Sequence, residues 1–458
     1  MKRLKNKTPL KNSLTALIAN GVAILLGFIA QRVFANALGP EYLGINGFFS
    51  NIISMLSVAE LGIGSAIIYN LYRPMKLGDK ELIKSLAGFY KKAYRVIMLA
   101  ISGIGLAILP SLGLIVGDLT IDTNIYLIFS LFIIDSVASY LLAYRRSILY
   151  ADRKNYLISL VHIGYLVVLN ALQILLLILT QNFYLYLIVR ILLRLVENYV
   201  LYQMTAKRYP YLKEQAKELP KKIKKDIFIK TKGLLFHKIG SFVILGTDNL
   251  VISCFLGITT VGFYSNYAMI IVALNTVFSQ AIFALIPSVG HLLVEKDQPR
   301  NFATFRKVRQ TTFLVALLTS VGLLVLATPF VKLWLGESYL LPLITLFILT
   351  INYFQQLMRA SFVTFKEAAG IYHEDRFAPL VESAVNIVAS IVLVQWLGLP
   401  GVFIGTILSS LVLWCFSYPK FVYKPLFGRS YRQYALEIGA YFAIFAAIIT
   451  PIYLLLTA

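Results

Sequence analysis

Arg190, Arg194 and Glu197 fall at i, i+4 and i+7 of one apolar run, which places all three on one face of a helix. Arg194 lies near the middle of that run, too deep to reach either end comfortably. Two guanidinium groups one turn apart repel, and a single Glu197 offsets only one of them. The spacing therefore predicts a stripe of net positive charge facing an aqueous cavity or an anionic ligand. Guanidinium forks suit phosphate oxygens, which they bind two at a time. Arg190 is nearer the outer end, so an outward snorkel stays open for it.

Arg32, Lys332 and Arg359 are the other cations inside apolar runs. A charge at the bilayer centre costs about 2.5–3.5 kcal/mol on insertion scales, so each needs an explanation. Lys332 is a few residues from the outer end of its run and is expected to snorkel. Arg359 can reach Glu382 on the next run, and a structural pair and a cavity role are both open. Arg32 stands beside Gln31 and one turn before Asn36, where it either lines a cavity or snorkels outward. The acids Glu60, Asp135, Glu197, Asp248 and Glu382 are candidates for gating or ion coupling. Ser50, Ser54, Ser57 and Glu60 form one polar stripe, and Asn352, Gln355, Gln356 and Arg359 form another. Such stripes hydrogen-bond helices to one another. Several of them converging favours a hydrated central cavity.

Nothing in the chain suggests bond-making chemistry. His162, His237, His291 and His373 are scattered, and none has a metal-ligand spacing. Cys254 and Cys415 stand alone inside apolar runs, without a CxxC pattern, so neither a zinc site nor a disulfide framework is supported. No catalytic residue, metal or cofactor is assigned.

The elements that must position these residues are membrane helices. The 458 residues are 59% hydrophobic and 14% charged, the balance of a polytopic membrane protein and not of a globular enzyme. About thirteen runs are long enough to span a core of roughly 30 Å, and in lipid such spans are helical because the backbone must satisfy itself. They lie near 13–38, 42–72, 87–116, 124–148, 155–179 and 183–207, then 233–256, 261–294, 308–335, 340–365, 377–397 and 400–423, with a last one at 433–457.

The loops between them alternate. Segments 2–11, 73–95, 145–154, 207–238, 296–309, 366–376 and 420–432 hold 38 of the 43 Lys and Arg residues. The short loops between these carry only Glu41, Asp118, Asp122 and Glu337. Cytoplasmic loops gather Lys and Arg, so the N-terminus is expected inside a plasma membrane. The net charge of +22 is then a loop bias with some attraction to anionic lipid, not a sign of nucleic-acid binding. The first run resembles a signal peptide, but 14–30 is too long for an ordinary apolar core and Arg32 interrupts the approach to Ala35-Asn36-Ala37. It reads as a retained helix.

The runs look duplicated. Leu38-Gly39 is followed by Gly44, and Leu256-Gly257 by Gly262, an offset of 218 in both glycines (39 to 257, 44 to 262). An even number of helices per half makes this a parallel repeat. The organisation expected is an all-α protein of two six-helix lobes around a central cavity, residues 1–208 and 233–432. A cytoplasmic linker at 209–232, with Lys221-Lys222-Ile223-Lys224-Lys225, joins them, and an additional helix follows at 433–458.

The stretches Leu38-Gly39-Pro40-Glu41-Tyr42-Leu43-Gly44, Thr247-Asp248-Asn249-Leu250-Val251-Ile252-Ser253 and Val261-Gly262-Phe263-Tyr264-Ser265-Asn266-Tyr267 resemble bacterial polysaccharide repeat-unit flippases. So do residues 370–376 and the GLPGVFIGTILS segment at 398–409. These flippases belong to the multidrug/oligosaccharidyl-lipid/polysaccharide exporter superfamily, and the likeness covers about residues 10–430. It implies two lobes alternately open inward and outward, moving undecaprenyl-diphosphate-linked oligosaccharide across the membrane for capsule or exopolysaccharide assembly. Membrane lipids, a polysaccharide polymerase and glycosyltransferases are the implied partners. The cationic lumen that the resemblance implies falls to Arg194 and Arg190, with Arg32 and Arg359 as further candidates. A cation-coupled multidrug exporter and a lipid II flippase of the same superfamily remain as alternatives. A membrane polysaccharide polymerase ranks below them, because the outer loops are too short to build a catalytic site.

Overall fold

A computed structural model describes residues 8–57, 63–117, 119–214, 216–295, 297–371 and 374–457, and all regular structure within them is helical. Glu60, Asp118 and His373 lie outside these residues. The chain divides into two compact units, 1–238 and 239–458.

The first unit contains α1 (Thr8–Leu56), α2 (Ile63–Leu77), α3 (Lys80–Ile108), α4 (Leu112–Val116), α5 (Ile125–Tyr140), α6 (Arg146–Ala151), α7 (Asn155–Thr180) and α8 (Phe183–Arg208). Helix α9 (Lys221–Leu256) begins here and runs on into the second unit. That unit continues through α10 (Ile258–Phe283), α11 (Ile286–Val294), α12 (Gln298–Leu335), α13 (Leu343–Ala368), α14 (Ala378–Leu397) and α15 (Leu399–Leu411). A wide π-helical stretch Val412–Tyr423, α16 (Lys424–Phe427) and α17 (Tyr431–Thr457) complete it.

Helix ends follow local chemistry. Asn124 and Asn182 cap α5 and α8 by accepting from the Leu127 and Leu185 backbone N–H groups, at 3.0 and 3.1 Å. Gly39 breaks α1 with φ 86° and ψ 179°, and Gly257 starts α10 with φ 84° and ψ 160°. Both need a left-handed φ that a side chain resists. Two more turns in each unit also have a positive φ at similar spacing: Gly117 and Gly336 (φ 72° and 102°), then Gln181 and Gly398 (φ 47° and 62°). Their offsets are 219 (117 to 336) and 217 (181 to 398), close to the 218 of the first pair.

Nine helical stretches among the described residues are long and apolar enough to cross a membrane. Spans that the sequence also predicts, in α2, α8, α9 and α13, fall outside that nine. Length does not disqualify α8 and α13, whose 26 residues reach about 39 Å at 1.5 Å per residue. Their polar side chains lower the hydropathy, and those side chains are the functional candidates. The expected span 42–72 is described in two parts, as α1 up to Leu56 and α2 from Ile63, and residues 58–62 between them lie outside the described residues. Lys221–Lys225, within the expected linker, form the first turns of α9, where Pro220 presents its carbonyl to the Ile223 and Lys224 N–H groups at 3.0 and 3.1 Å.

In the first unit α1 packs along α7, α7 along α8, and α5 between α3 and α8. Phe34, Tyr42, Phe183 and Tyr186 interlock at the α1–α8 turns with ring centroids 5.2–5.9 Å apart. In the second unit α14 and α15 pack most tightly. A Cβ on Gly401 would sit 2.2 Å from the Leu393 carbonyl oxygen, and one on Gly405 2.4 Å from Ser390 Oγ. Glycines four apart allow helices this close approach, which is the physical content of the GLPGVFIGTILS motif.

Candidate functional site

The Arg190/Arg194 stripe meets its counter-charge on α5, not on its own helix. Arg194 Nε donates to Asp135 Oδ1 at 2.8 Å, and Arg190 Nε lies 3.1 Å from Asp135 Oδ2. One carboxylate thus serves two guanidinium groups, and the trio keeps one net positive charge. Both contacts are made through Nε, and no described residue is a hydrogen-bond acceptor for the Nη groups. Aromatic rings hold the flat sides, with Phe132 4.5 Å from the Arg190 guanidinium and Tyr165 5.5 Å from that of Arg194.

The direction of the trio follows from α8. Leu185, Ile188, Leu192, Val196 and Tyr199 form its exposed apolar stripe, suited to acyl chains. At 3.6 residues per turn Arg190, Arg194 and Glu197 point to the opposite side. The three side chains of the trio are 14–24% exposed, so the forks are accessible without facing that stripe.

Glu197 has a different office from the one its spacing suggests. Seven residues beyond Arg190 it has moved along the helix to α6 and α7, where His162 Nδ1 stands 3.0 Å from Oε1 and Arg146 Nη2 3.4 Å from Oε2. Arg146 also donates to Asn198 Oδ1 at 2.6 Å, and Asn198 donates to the Ala138 carbonyl at 2.7 Å. Neither His162 nor Arg146 is distinguished by its sequence spacing. Arg146 reads there as an ordinary cytoplasmic loop cation, yet it ties α6 to α8.

The second unit arranges its charges one to one. Arg359 Nη2 donates to Glu382 Oε1 at 2.7 Å, from α13 to α14. Lys366 pairs with Asp375, which also accepts from Ser417 Oγ at 2.7 Å, and Arg309 on α12 pairs with Glu437 on α17. Arg309, a loop cation by sequence, is 1% exposed and anchors the last helix.

Asp248 is the exception. Among the described residues it has no cationic partner. Thr406 Oγ1 lies 3.3 Å from its Oδ1, Asn386 Nδ2 donates to Thr406 Oγ1 at 3.0 Å, and Thr247 Oγ1 donates to Asn386 Oδ1 at 3.1 Å. The cradle is made of oxygen and amide groups from α9, α14 and α15. Arg32 is exposed on α1 with no described ion pair, and Lys332 bonds the exposed Glu337 at 2.5 Å. Within the first unit Asp135, Arg190 and Arg194 come together, with Glu197 beside them. Within the second, Arg359 pairs with Glu382 and Asp248 has its own cradle.

This helical architecture, with charged side chains set between long apolar helices, is that of a multi-pass membrane protein. Its structure resembles an inward-facing multidrug resistance MATE family transporter of the MOP superfamily at a TM-score of 0.65 and 15% identity, over 92% of this chain and 95% of that one. It resembles the lipid II flippase MurJ in an inward closed conformation at a TM-score of 0.64 and 17% identity, over 97% and 98% of the two chains. A MOP superfamily transporter from Pyrococcus furiosus, described as having a binding pocket of reverse polarity, matches at 0.54 and 14%, over 89% and 92%. No curated protein matches the chain. The family described as polysaccharide biosynthesis protein matches residues 10–292, well over half the sequence, and the chain belongs to that family.

Proposed function

We propose that the protein is a flippase that moves undecaprenyl-diphosphate-linked oligosaccharide repeat units from the inner to the outer leaflet for capsule or exopolysaccharide assembly. Membership of the polysaccharide biosynthesis family supports the class, and the Arg190–Asp135–Arg194 trio carries the reading. Bringing a diphosphate through bare hydrocarbon is prohibitive, because a charge without partners loses its hydration. Two guanidinium forks with free Nη groups replace that water bidentately. The lipid tail stays in the membrane while the head group crosses, and the two units alternate access to carry it over. The N-terminus lies in the cytoplasm on this reading, as the loop charges require. A polymerase and glycosyltransferases are the expected partners.

The test is Arg194→Ala at matched protein level in cells. Surface polysaccharide is lost and lipid-linked repeat units accumulate in the inner leaflet, whereas Arg194→Lys keeps part of the activity because charge survives without the fork. Normal polysaccharide with Arg194→Ala removes the reading.

A second reading, a cation-coupled multidrug exporter, has Asp248 in its favour, a carboxylate cradled by hydroxyl and amide groups with no described cation beside it. On the first reading the same residue is the ion-coupling candidate. Drug susceptibility of cells lacking the protein separates the two, since a flippase leaves it unchanged.

A further inference from the structure

We propose that Asp135 is a resident counter-anion that weakens the site enough for its cargo to leave, so that net charge at the trio sets affinity for a diphosphate. This rests on the flippase reading and deepens it. A transport site must bind firmly enough to load and loosely enough to unload. Two bare guanidinium groups one turn apart, about 6 Å along the axis, would hold a diphosphate with two full charges in surroundings that screen poorly.

The geometry gives Asp135 two effects of opposite sign. By accepting from Arg194 Nε at 2.8 Å and standing 3.1 Å from Arg190 Nε, it holds both guanidinium groups in place, which favours binding. By its charge it halves the positive excess and repels an arriving anion, which opposes binding. The carboxylate is 14% exposed and the forks 15% and 24%, so the ligand sits near all three groups. Coulomb repulsion at such a distance outweighs the loss of one oriented contact on each fork, so the charge effect dominates. The other groups facing the trio do not alter the count. Phe132 and Tyr165 are uncharged there, and Glu197 is engaged by His162 and Arg146.

A charge ladder tests this on the purified full-length chain in neutral detergent, with inorganic pyrophosphate as the probe at fixed ionic strength. Arg190→Gln leaves the trio neutral, wild type carries one positive charge, and Asp135→Asn carries two. Pyrophosphate affinity is expected to fall about tenfold in the first and rise about tenfold in the last, with slower dissociation and steeper salt dependence. Adding Asp135→Asn to Arg190→Gln restores one charge and recovers the affinity that Arg190→Gln loses. In cells Asp135→Asn lowers export while lipid-linked diphosphate co-purifies with the protein, and Asp135→Glu, which keeps the charge, stays near wild type in affinity.

If Asp135 only braces the forks, Asp135→Asn weakens pyrophosphate binding, and that result overturns the proposal. So does a double variant no tighter than Arg190→Gln, a comparison available even if Asp135→Asn alone does not fold. Failure of the flippase reading looks different, because Arg194→Ala then binds pyrophosphate as wild type does.

Discussion

The two units handle membrane charge in opposite ways. In the first, two arginines share one aspartate and the forks keep unused donors. In the second, Arg359, Lys366 and Arg309 each have a carboxylate of their own, and Asp248 is an acid without a described cation. The turns do not explain the difference, since three of them recur at offsets of 217–219 residues with a left-handed φ each time. Turns at matching offsets therefore go with unlike interiors. A charge balanced one to one inside a membrane is a fastener, because separating the partners leaves an ion in a poor solvent. A surplus charge is a site, because it lacks a partner until a ligand arrives.

That distinction breaks first, and with the largest effect on stability, at Arg359. Glu382 is 5% exposed, and Arg359→Ala leaves its carboxylate buried without a cation. The expected loss is about 3–5 kcal/mol, and Glu382→Gln in the same chain recovers much of it, since a neutral pair avoids the orphaned charge. Thermal unfolding in detergent reads both. If Arg359→Ala costs nothing in stability yet stops export, Arg359 belongs to the cargo path and the division between fastener and site fails.

Much of this was legible in the chain and some was not. Apolar runs mark the helices because lipid imposes their length, and glycines mark the turns because only a missing Cβ makes a left-handed φ inexpensive. Arg190, Arg194, Asp135 and Asp248 stand out because charges are rare in such runs. Which acid meets which base does not stand out. Asp135 and Arg194 are 59 residues apart, and their meeting depends on how α5 lies on α8. Glu197 looked like the partner of the arginines because helical spacing shows one helix at a time. Arg146, Arg309 and Lys366 were hidden for another reason: they sit where cytoplasmic cations are expected, and only packing shows that they are fasteners.

The comparison sharpens next at the recurring turns. A Cβ added at Gly39 or Gly257 meets nothing within 4 Å, so the cost of alanine at either is that of the backbone alone. About 1–2 kcal/mol is expected for each, measured as a shift in the unfolding midpoint. Similar costs at both positions mean that the repeated glycine is a backbone device in each unit. A loss at one position only, or a transport defect without a stability change, means that the matching turns have diverged in role.

The smallest effect belongs to Lys332, whose apolar run would nominate it beside Arg194. It bonds Glu337 at 2.5 Å, but the two side chains are 58% and 73% exposed, where water competes for both and ion pairs contribute little. That hydrogen bond still holds the Glu337 carboxyl below the usual carboxylate range. A carboxylate whose folded pKa is depressed adds stability above its unfolded value and loses it as pH falls through the folded one. Lys332→Ala should therefore export normally and unfold almost as wild type does at neutral pH, with any residual difference vanishing in acid. Midpoints measured across pH, beside surface polysaccharide, check this. A loss as large as that of Arg359→Ala, or one that grows toward acid, would mean that the C-terminal end of α12 buries this lysine as α13 and α14 bury the Arg359–Glu382 pair.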